Sequence, residues 1–251
     1  MIKFHPASTD TTPTIETRST YLPVNSQLAD SNSHFSPWLI SCAYFFGRYL
    51  VLPLYFGSIK ILGQENIPPT GPVILAPTHR SRWDSLILAY AVGRPVTDRD
   101  IRFMVTSSEC RGVQGWFIRR MGGFPVNTHR PAIATLRHAI ELMQAGEILV
   151  IYPEGGIHRD GKVHPLKSGI ARLALLAESS QRNLGIKILP IGINYDQPYP
   201  QWGVKVCIEI GQPIVVVDYN SGNLKSDAKN LTADLTSSLR KINTQSLIPN
   251  H

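Results

Sequence analysis

From residue 58 onward, apolar side chains recur in two rhythms. Short runs dense in Ile, Val and Leu read as strands: "SIKILG" (58–63), "GPVILAP" (71–77), "RFMVTS" (102–107), "EILVIYP" (147–153), "IKILPIGINY" (186–195) and "VKVCIEIG" (204–211). Between them, "WDSLILAYAVG" (83–93) reads as a helix ended by Gly93, and "GWFIRRM" (115–121) as a short helix followed by the extended piece "GGFPV". Pro131 to Ala145 predicts an amphipathic helix with Ile133, Leu136, Ile140 and Met143 on one face, Pro131 in its first turn and Gly146 at its end. Ser168 is placed to cap a further helix with Ile170, Leu173, Ala174 and Ala177 on one side. Leu231, Leu235 and Leu239 stripe a last helix at 226–242. Strands alternating with helices predict an α/β fold: one domain, its mixed, mostly parallel sheet flanked by helices. The uninterrupted "EILVIYP" predicts a central strand.

The first 57 residues follow neither rhythm. Residues 1–36 form a polar tail rich in Ser, Thr, Pro and Asn, read as disordered or loosely attached. No apolar h-region follows a basic start, so a signal peptide is not expected. "WLISCAYFFGRYLVLPLYFGSIKIL" (38–62) is the most apolar stretch, but Arg48 divides it into two pieces and Pro53 interrupts the second. A spanning helix needs roughly 20 consecutive apolar residues, and an arginine in lipid costs about 2.5–3.5 kcal/mol. An interfacial helix or a short re-entrant pair fits better, making 37–56 an apolar, membrane-interacting segment. The competing reading is a buried core helix followed by a strand.

Composition narrows the class. The 251 residues are 43% hydrophobic and 17% charged, a globular balance, with a net charge of +7 that favours anionic partners. The basic residues cluster in no recognised nucleic-acid motif. Cys42, Cys110 and Cys207 are scattered and suggest neither a metal pair nor a disulfide framework.

Candidate chemistry begins at "THRSRWD", residues 78–84. "SRWD" has the form of a capping box, with Ser81 capping the helix and Asp84 reaching back to its backbone. On a continuous helix His79 and Asp84 would stand about 140° apart. They meet only if the chain turns between them, and the cap supplies that turn. A histidine held by a carboxylate is a general base with its tautomer fixed. With no G-x-S-x-G nucleophile motif, the proton it removes can come from a substrate hydroxyl, which then attacks an acyl donor directly. Downstream, "YPEGGIHRDG" places Glu154, Gly155 and Gly156 at a strand's end, where backbone N–H groups can cradle an anion, with Arg159, Lys162 and Lys167 close behind. "GGFPVNTHR" ends at Arg130, just before a helix N-terminus.

These segments together resemble the glycerolipid acyltransferases, specifically the 1-acylglycerol-3-phosphate acyltransferases. The family's N-H-x4-D is matched by "THRSRWD" with Thr78 for asparagine. Its G-A-F-P-V-x-R is matched by Gly123, Phe124, Pro125 and Val126, with Asn127 and Thr128 in the arginine region. Its F-P-E-G-T-R-S is matched by Pro153, Glu154 and Gly155, with Gly156 and Ile157 for Thr-Arg. The apolar run with a proline is matched by "ILPIGIN" around Pro190. The resemblance implies that 57–251 is an acyltransferase domain carrying an acyl group from acyl-CoA or acyl carrier protein to 1-acylglycerol-3-phosphate, with neither metal nor organic cofactor. His79 and Asp84 would be catalytic, while Arg130, Glu154, Gly155, Arg159 and Lys167 would bind substrate. The expected partners are a lysophospholipid acceptor, the acyl donor and a membrane surface, not nucleic acid. The protein would be membrane-associated, its site facing the cytoplasm. Glu154 is expected to organise its loop or a substrate hydroxyl rather than act as base. Because Asn127, Thr128 and Ile157 stand where the family has arginines, another lysolipid or hydroxyl acceptor is the alternative substrate. Two other classes compete: a metal-dependent phosphoesterase using His79, Asp84, Glu154 and His158, and a non-catalytic lipid-binding protein.

Overall fold

The computed structural model describes residues 36–127 and 131–245, so the polar tail up to residue 35, together with Thr128 and Arg130, falls outside the described residues. In chain order the elements are α1 (Pro37–Phe46), a wider π-type turn (Gly47–Val51), α2 (Leu52–Tyr55), β1 (Ser58–Leu62), β2 (Val73–Pro77), α3 (Asp84–Val92) and α4 (Arg94–Thr97). Then follow β3 (Ile101–Thr106), α5 (Gly112–Arg120), β4 (Gly123–Val126), α6 (Ile133–Gln144), β5 (Ile148–Val150) and α7 (Gly169–Ser180). The chain continues with β6 (Lys187–Tyr195), β7 (Lys205–Ile210), β8 (Ile214–Val215) and α8 (Leu224–Gln245).

The strands form one sheet in the order β1-β7-β6-β2-β5-β3-β4, with β8 paired to the start of β6. Every neighbouring pair is parallel except β6 with β7 and β6 with β8. Alternation along the strands feeds two cores. Ile74, Leu149 and Ile188 face α6, α7 and α8, while Val73, Leu75, Ile148, Val150, Leu189 and Ile191 face α3. A sheet covered on both faces needs strands apolar at every position, which is why β2 is buried throughout and why "ILV" sits near its centre.

Three local expectations need correcting. α6 begins at Ile133, after Pro131, and its core face runs through Thr135, Ala139, Leu142 and Met143, leaving Ile133 exposed. Met143 is buried and Leu136 and Ile140 pack against the same core as expected, so of the expected stripe Ile133 alone turns outward. Ser168 precedes α7 but makes no side-chain cap bond. Finally, the apolar segment is not broken at Arg48 or Pro53. It runs as one 19-residue helix, Pro37–Tyr55, with the length and composition to cross a membrane. Pro53 has no N–H to give the previous turn, and its ring would press on the carbonyl four residues back. The wider turn just ahead, where Leu52 N–H donates to Gly47 O, accommodates it. The Arg48 guanidinium lies over the Tyr90 ring of α3, 5.2 Å from its centre. Ile40 and Leu52 are buried, but Trp38, Phe45, Phe46, Tyr49, Leu50 and Leu54 are exposed. The helix is therefore not a buried core helix.

Candidate active site

Three adjacent parallel strands, β6, β2 and β5, end at the same edge of the sheet. The loop after β2 carries His79, the loop after β5 carries Glu154, and β6 itself ends in Tyr195. Carboxyl ends of parallel strands are the usual seat of a site in α/β sheets.

The chain turns through Arg80–Trp83 and enters α3 at Asp84. His79 Nδ1–H donates to Asp84 Oδ2 at 2.8 Å. The same oxygen accepts the backbone N–H of Arg80 at 2.7 Å and of Ser81 at 2.9 Å. Its twin, Oδ1, accepts the Tyr195 hydroxyl at 2.7 Å. Asp84 thus closes the corner by reaching back to Ser81, as the capping box predicts. The Ser81 hydroxyl departs from that pattern: it accepts from Trp83 N–H at 3.3 Å, two residues on rather than three. The carboxylate is fully buried, and the imidazole keeps 17% of its surface exposed. Nδ1 is committed to Asp84, leaving Nε2 as the nitrogen free for chemistry.

The ring has a second support. Tyr152 stacks beneath His79 with centroids 3.9 Å apart, and its hydroxyl meets Ser85 Oγ at 3.1 Å. Burial, then the nearby Asp84 charge, pushes both the Tyr152 and Tyr195 phenols far above the ordinary tyrosine range. Both stay protonated, so Tyr195 remains a donor to Asp84. Thr78, in the family's asparagine position, accepts from Ile193 N–H at 2.9 Å and so pins the end of β2 to β6.

Glu154 is buried and spends both oxygens on protein donors. Oε2 accepts His79 N–H at 3.0 Å and Arg80 Nη1 at 3.1 Å, while Oε1 accepts His164 N–H at 2.9 Å. Arg80, also buried, donates from Nη1 to His158 O at 3.2 Å as well, leaving Nε and Nη2 without partners among the described residues. His158 N–H donates to His79 O at 2.8 Å. The loops after β2 and β5 are therefore stitched together around one buried ion pair. Gly155 N–H closes a turn onto Tyr152 O at 3.1 Å. Gly155 has φ +71°, and a Cβ there would lie 2.6 Å from Lys167 Nζ, so glycine both permits the turn and gives the lysine its place.

The remaining basic residues divide. Lys167 lies against Gly155. The Arg159 guanidinium lies over the Tyr199 ring, 5.0 Å from its centre, rather than against the His79 corner. Arg130 lies outside the described residues. No group of three or more His, Cys, Asp or Glu residues suited to a metal comes together among the described residues. "PEGGIH" is a loop, not a helix, and Glu154 is already saturated. Arg80, Tyr152 and Tyr195 were not singled out from sequence. Arg80, next to His79, and Tyr152, at the head of "YPEGG", sat inside motifs that could have flagged them, whereas Tyr195 did not.

A sequence profile for the Acyltransferase family matches residues 58–194, more than half of the chain, and the protein belongs to that family. It is 27% identical to a 1-acyl-sn-glycerol-3-phosphate acyltransferase of Bacillus subtilis over 49% of this chain and 59% of the relative. It is 26% identical to a protein of the same description from Streptococcus pneumoniae, over 67% of this chain and 58% of the relative. The chain thus spans less than three-fifths of the length of either. The fold is similar to the crystal structure of the 1-acyl-sn-glycerophosphate acyltransferase PlsC from Thermotoga maritima, with a TM-score of 0.62 at 21% identity, covering 82% of this chain and 78% of the other.

Proposed function

We propose that the protein transfers a fatty acyl group from acyl-CoA or acyl carrier protein to the free hydroxyl of 1-acylglycerol-3-phosphate, giving phosphatidic acid. The carrying observation is the 2.8 Å contact between His79 Nδ1 and Asp84 Oδ2, with Nε2 left open. Nε2 takes the acceptor's hydroxyl proton as its oxygen attacks the thioester carbonyl. Asp84 holds the ring and balances the imidazolium. The carbon–sulfur bond then breaks, and the leaving thiolate takes the proton from His79. Gly155 N–H is committed to its turn, but those of Gly156 and Ile157 have no acceptor among the described residues and are the candidate oxyanion donors. The chemistry calls for neither metal nor organic cofactor. Two relatives bearing this description support the acceptor. The exposed apolar helix supports attachment to a membrane, with the site on the cytoplasmic side where the acyl donors are made.

Lys167, Arg159 and Arg130 are the candidate ligands of the acceptor phosphate, with Lys167 best placed. Losing a charge-assisted bond of about 1.5–3 kcal/mol raises KM roughly ten- to hundredfold. Lys167→Ala should do so for the acceptor and not the donor, and Arg159→Ala should do less.

The deciding experiment is a transfer assay over a panel of lysolipids with both donor types. Phosphatidic acid formation that disappears in His79→Ala is the expected result. A folded wild-type protein that acylates no lysolipid from either donor overturns the reading.

A further inference from the structure

α5 presents its apolar side to solvent. Val113, Trp116 and Phe117 stand at i, i+3 and i+4, the spacing that gathers side chains on one helical face. In α8 the same kind of stripe, Leu231, Leu235 and Leu239, is buried against the sheet. In α5 it points outward, with Val113 85% exposed, Trp116 52% and Phe117 47%. The inner side carries Gly115, where a Cβ would lie 2.2 Å from the Cys110 carbonyl. Glycine lets the preceding turn at Cys110 pack onto the helix on that side, Ile118 packs inward against Gly123, and Val113, Trp116 and Phe117 project from the other. Segment 111–120, "RGVQGWFIRR", has three arginines and no acidic residue. The Arg120 guanidinium lies over the Trp116 ring, 4.7 Å from its centre.

Two sets of contacts locate this face. Ser36 N–H donates to Arg120 O at 3.2 Å, so the end of α5 meets the start of the exposed apolar helix Pro37–Tyr55. Gln114 Nε2 donates to Glu109 Oε2 at 2.8 Å, and Glu109 takes Arg82 Nη2 at 3.0 Å and Nη1 at 3.1 Å. Arg82 lies three residues beyond His79. α5 is thereby tied both to the apolar helix and to the loop of the catalytic corner.

We propose that the outward face of α5 is a second docking surface, seated on an anionic lipid leaflet beside the apolar helix. Val113, Trp116 and Phe117 enter the boundary between headgroups and acyl chains, and Arg111 and Arg120 meet lipid phosphates, while Arg119 donates inward to Cys110 O at 3.2 Å. The occupant is lipid rather than a protein because the face continues from an apolar helix and carries only positive charge. The globular domain itself, and not only its N-terminal helix, then rests on the membrane, which holds the His79 loop at the lipid surface. The proposal does not depend on which reaction the site performs, since its test reads lipid contact alone.

The test uses the full chain and vesicles of phosphatidylglycerol or phosphatidylcholine, with brominated lipid as a fluorescence quencher. Quenching is expected to be weaker in Trp116→Phe, which keeps the apolar face and so keeps binding, than in wild type. Trp116→Glu combined with Phe117→Glu should weaken binding to phosphatidylglycerol vesicles by roughly tenfold or more. Thermal midpoints should match wild type, because both side chains are exposed. Quenching that is equal in wild type and Trp116→Phe would overturn the proposal. So would equal affinity for the two lipids, or self-association in sedimentation that the glutamate pair abolishes, which would mean that a second copy covers the face.

Discussion

The His79 corner and the helix Pro37–Tyr55 invert the usual distribution of residues in opposite ways. The corner buries polar groups: Asp84, Arg80 and Glu154 are nearly inaccessible. The helix exposes apolar ones: Trp38, Phe45, Phe46 and Tyr49 are each more than half open to solvent. Buried charge is tolerated only when paired, and the corner supplies its partners from its own chain, with four donors on Asp84 and a guanidinium on Glu154. Exposed apolar surface on this scale needs a partner from outside. One region pairs its charges within the folded chain, and the other leaves its apolar surface uncovered. The geometry of the corner therefore belongs to the domain, while the exposed face of the helix is left for a partner from outside.

The largest effect belongs to the corner. His79→Ala should lower acyl transfer by roughly 10²–10⁴-fold with the fold intact, since only the imidazole is lost. Steady-state kinetics with a far-UV spectrum check this, and near-normal turnover by the folded variant would remove His79 from the mechanism. Glu154→Gln attacks the same network from beneath. It leaves the buried Arg80 charge uncompensated, which costs about 3–5 kcal/mol. Urea unfolding should show the loss. If stability is unchanged, the two loops are held by something other than the Arg80–Glu154 pair.

The exposed helix predicts the reverse: lost attachment with preserved stability. Aspartate at both Phe45 and Phe46 removes two exposed rings, each contributing about 1.5–3 kcal/mol when buried in an apolar phase. Vesicle binding should fall by about two orders of magnitude or more while the unfolding midpoint stays put. A large drop in stability would show that the rings serve the domain rather than a membrane.

The two regions also differed in how far they could be read from sequence. The α/β alternation was plain because parallel strands buried on both faces must be apolar throughout, as "VILAP" and "ILV" are. His79 and Asp84 could be paired because the partners lie five positions apart and a capping pattern explains the turn between them. Tyr195 could not be found that way, since it reaches Asp84 across 111 positions and only strand order brings them together. Arg159 shows a different limit: it follows the third motif closely, but sequence alone does not say that its guanidinium lies over the Tyr199 ring. Pro53 promised a break that the wider turn before it absorbs.

Tyr195 sharpens the comparison most finely, because it tests whether the corner's outermost donor matters. Among the described residues its hydroxyl makes one of four hydrogen bonds to Asp84 and the only one to Oδ1. Tyr195→Phe removes that bond and little volume. A hydrogen bond to a charged group contributes about 1.5–3 kcal/mol, so kcat should fall roughly tenfold through a less firmly held carboxylate. KM for the donor should stay near wild type. A second readout separates this role from simple packing. The folded phenol titrates far above its ordinary value of 10.0, with burial the largest cause and the Asp84 charge next. A pKa raised by folding adds stability that is complete below the unfolded value and is lost as pH climbs from there towards the folded one. Wild-type stability should therefore decline steeply above about pH 10, as tyrosine ionises in the unfolded chain. Tyr195→Phe should decline less steeply, with Tyr152 still contributing. Unfolding curves at neutral pH and above pH 10 provide the comparison. Parallel losses in the two proteins would mean that Tyr195 is not the buried, protonated donor that holds Asp84.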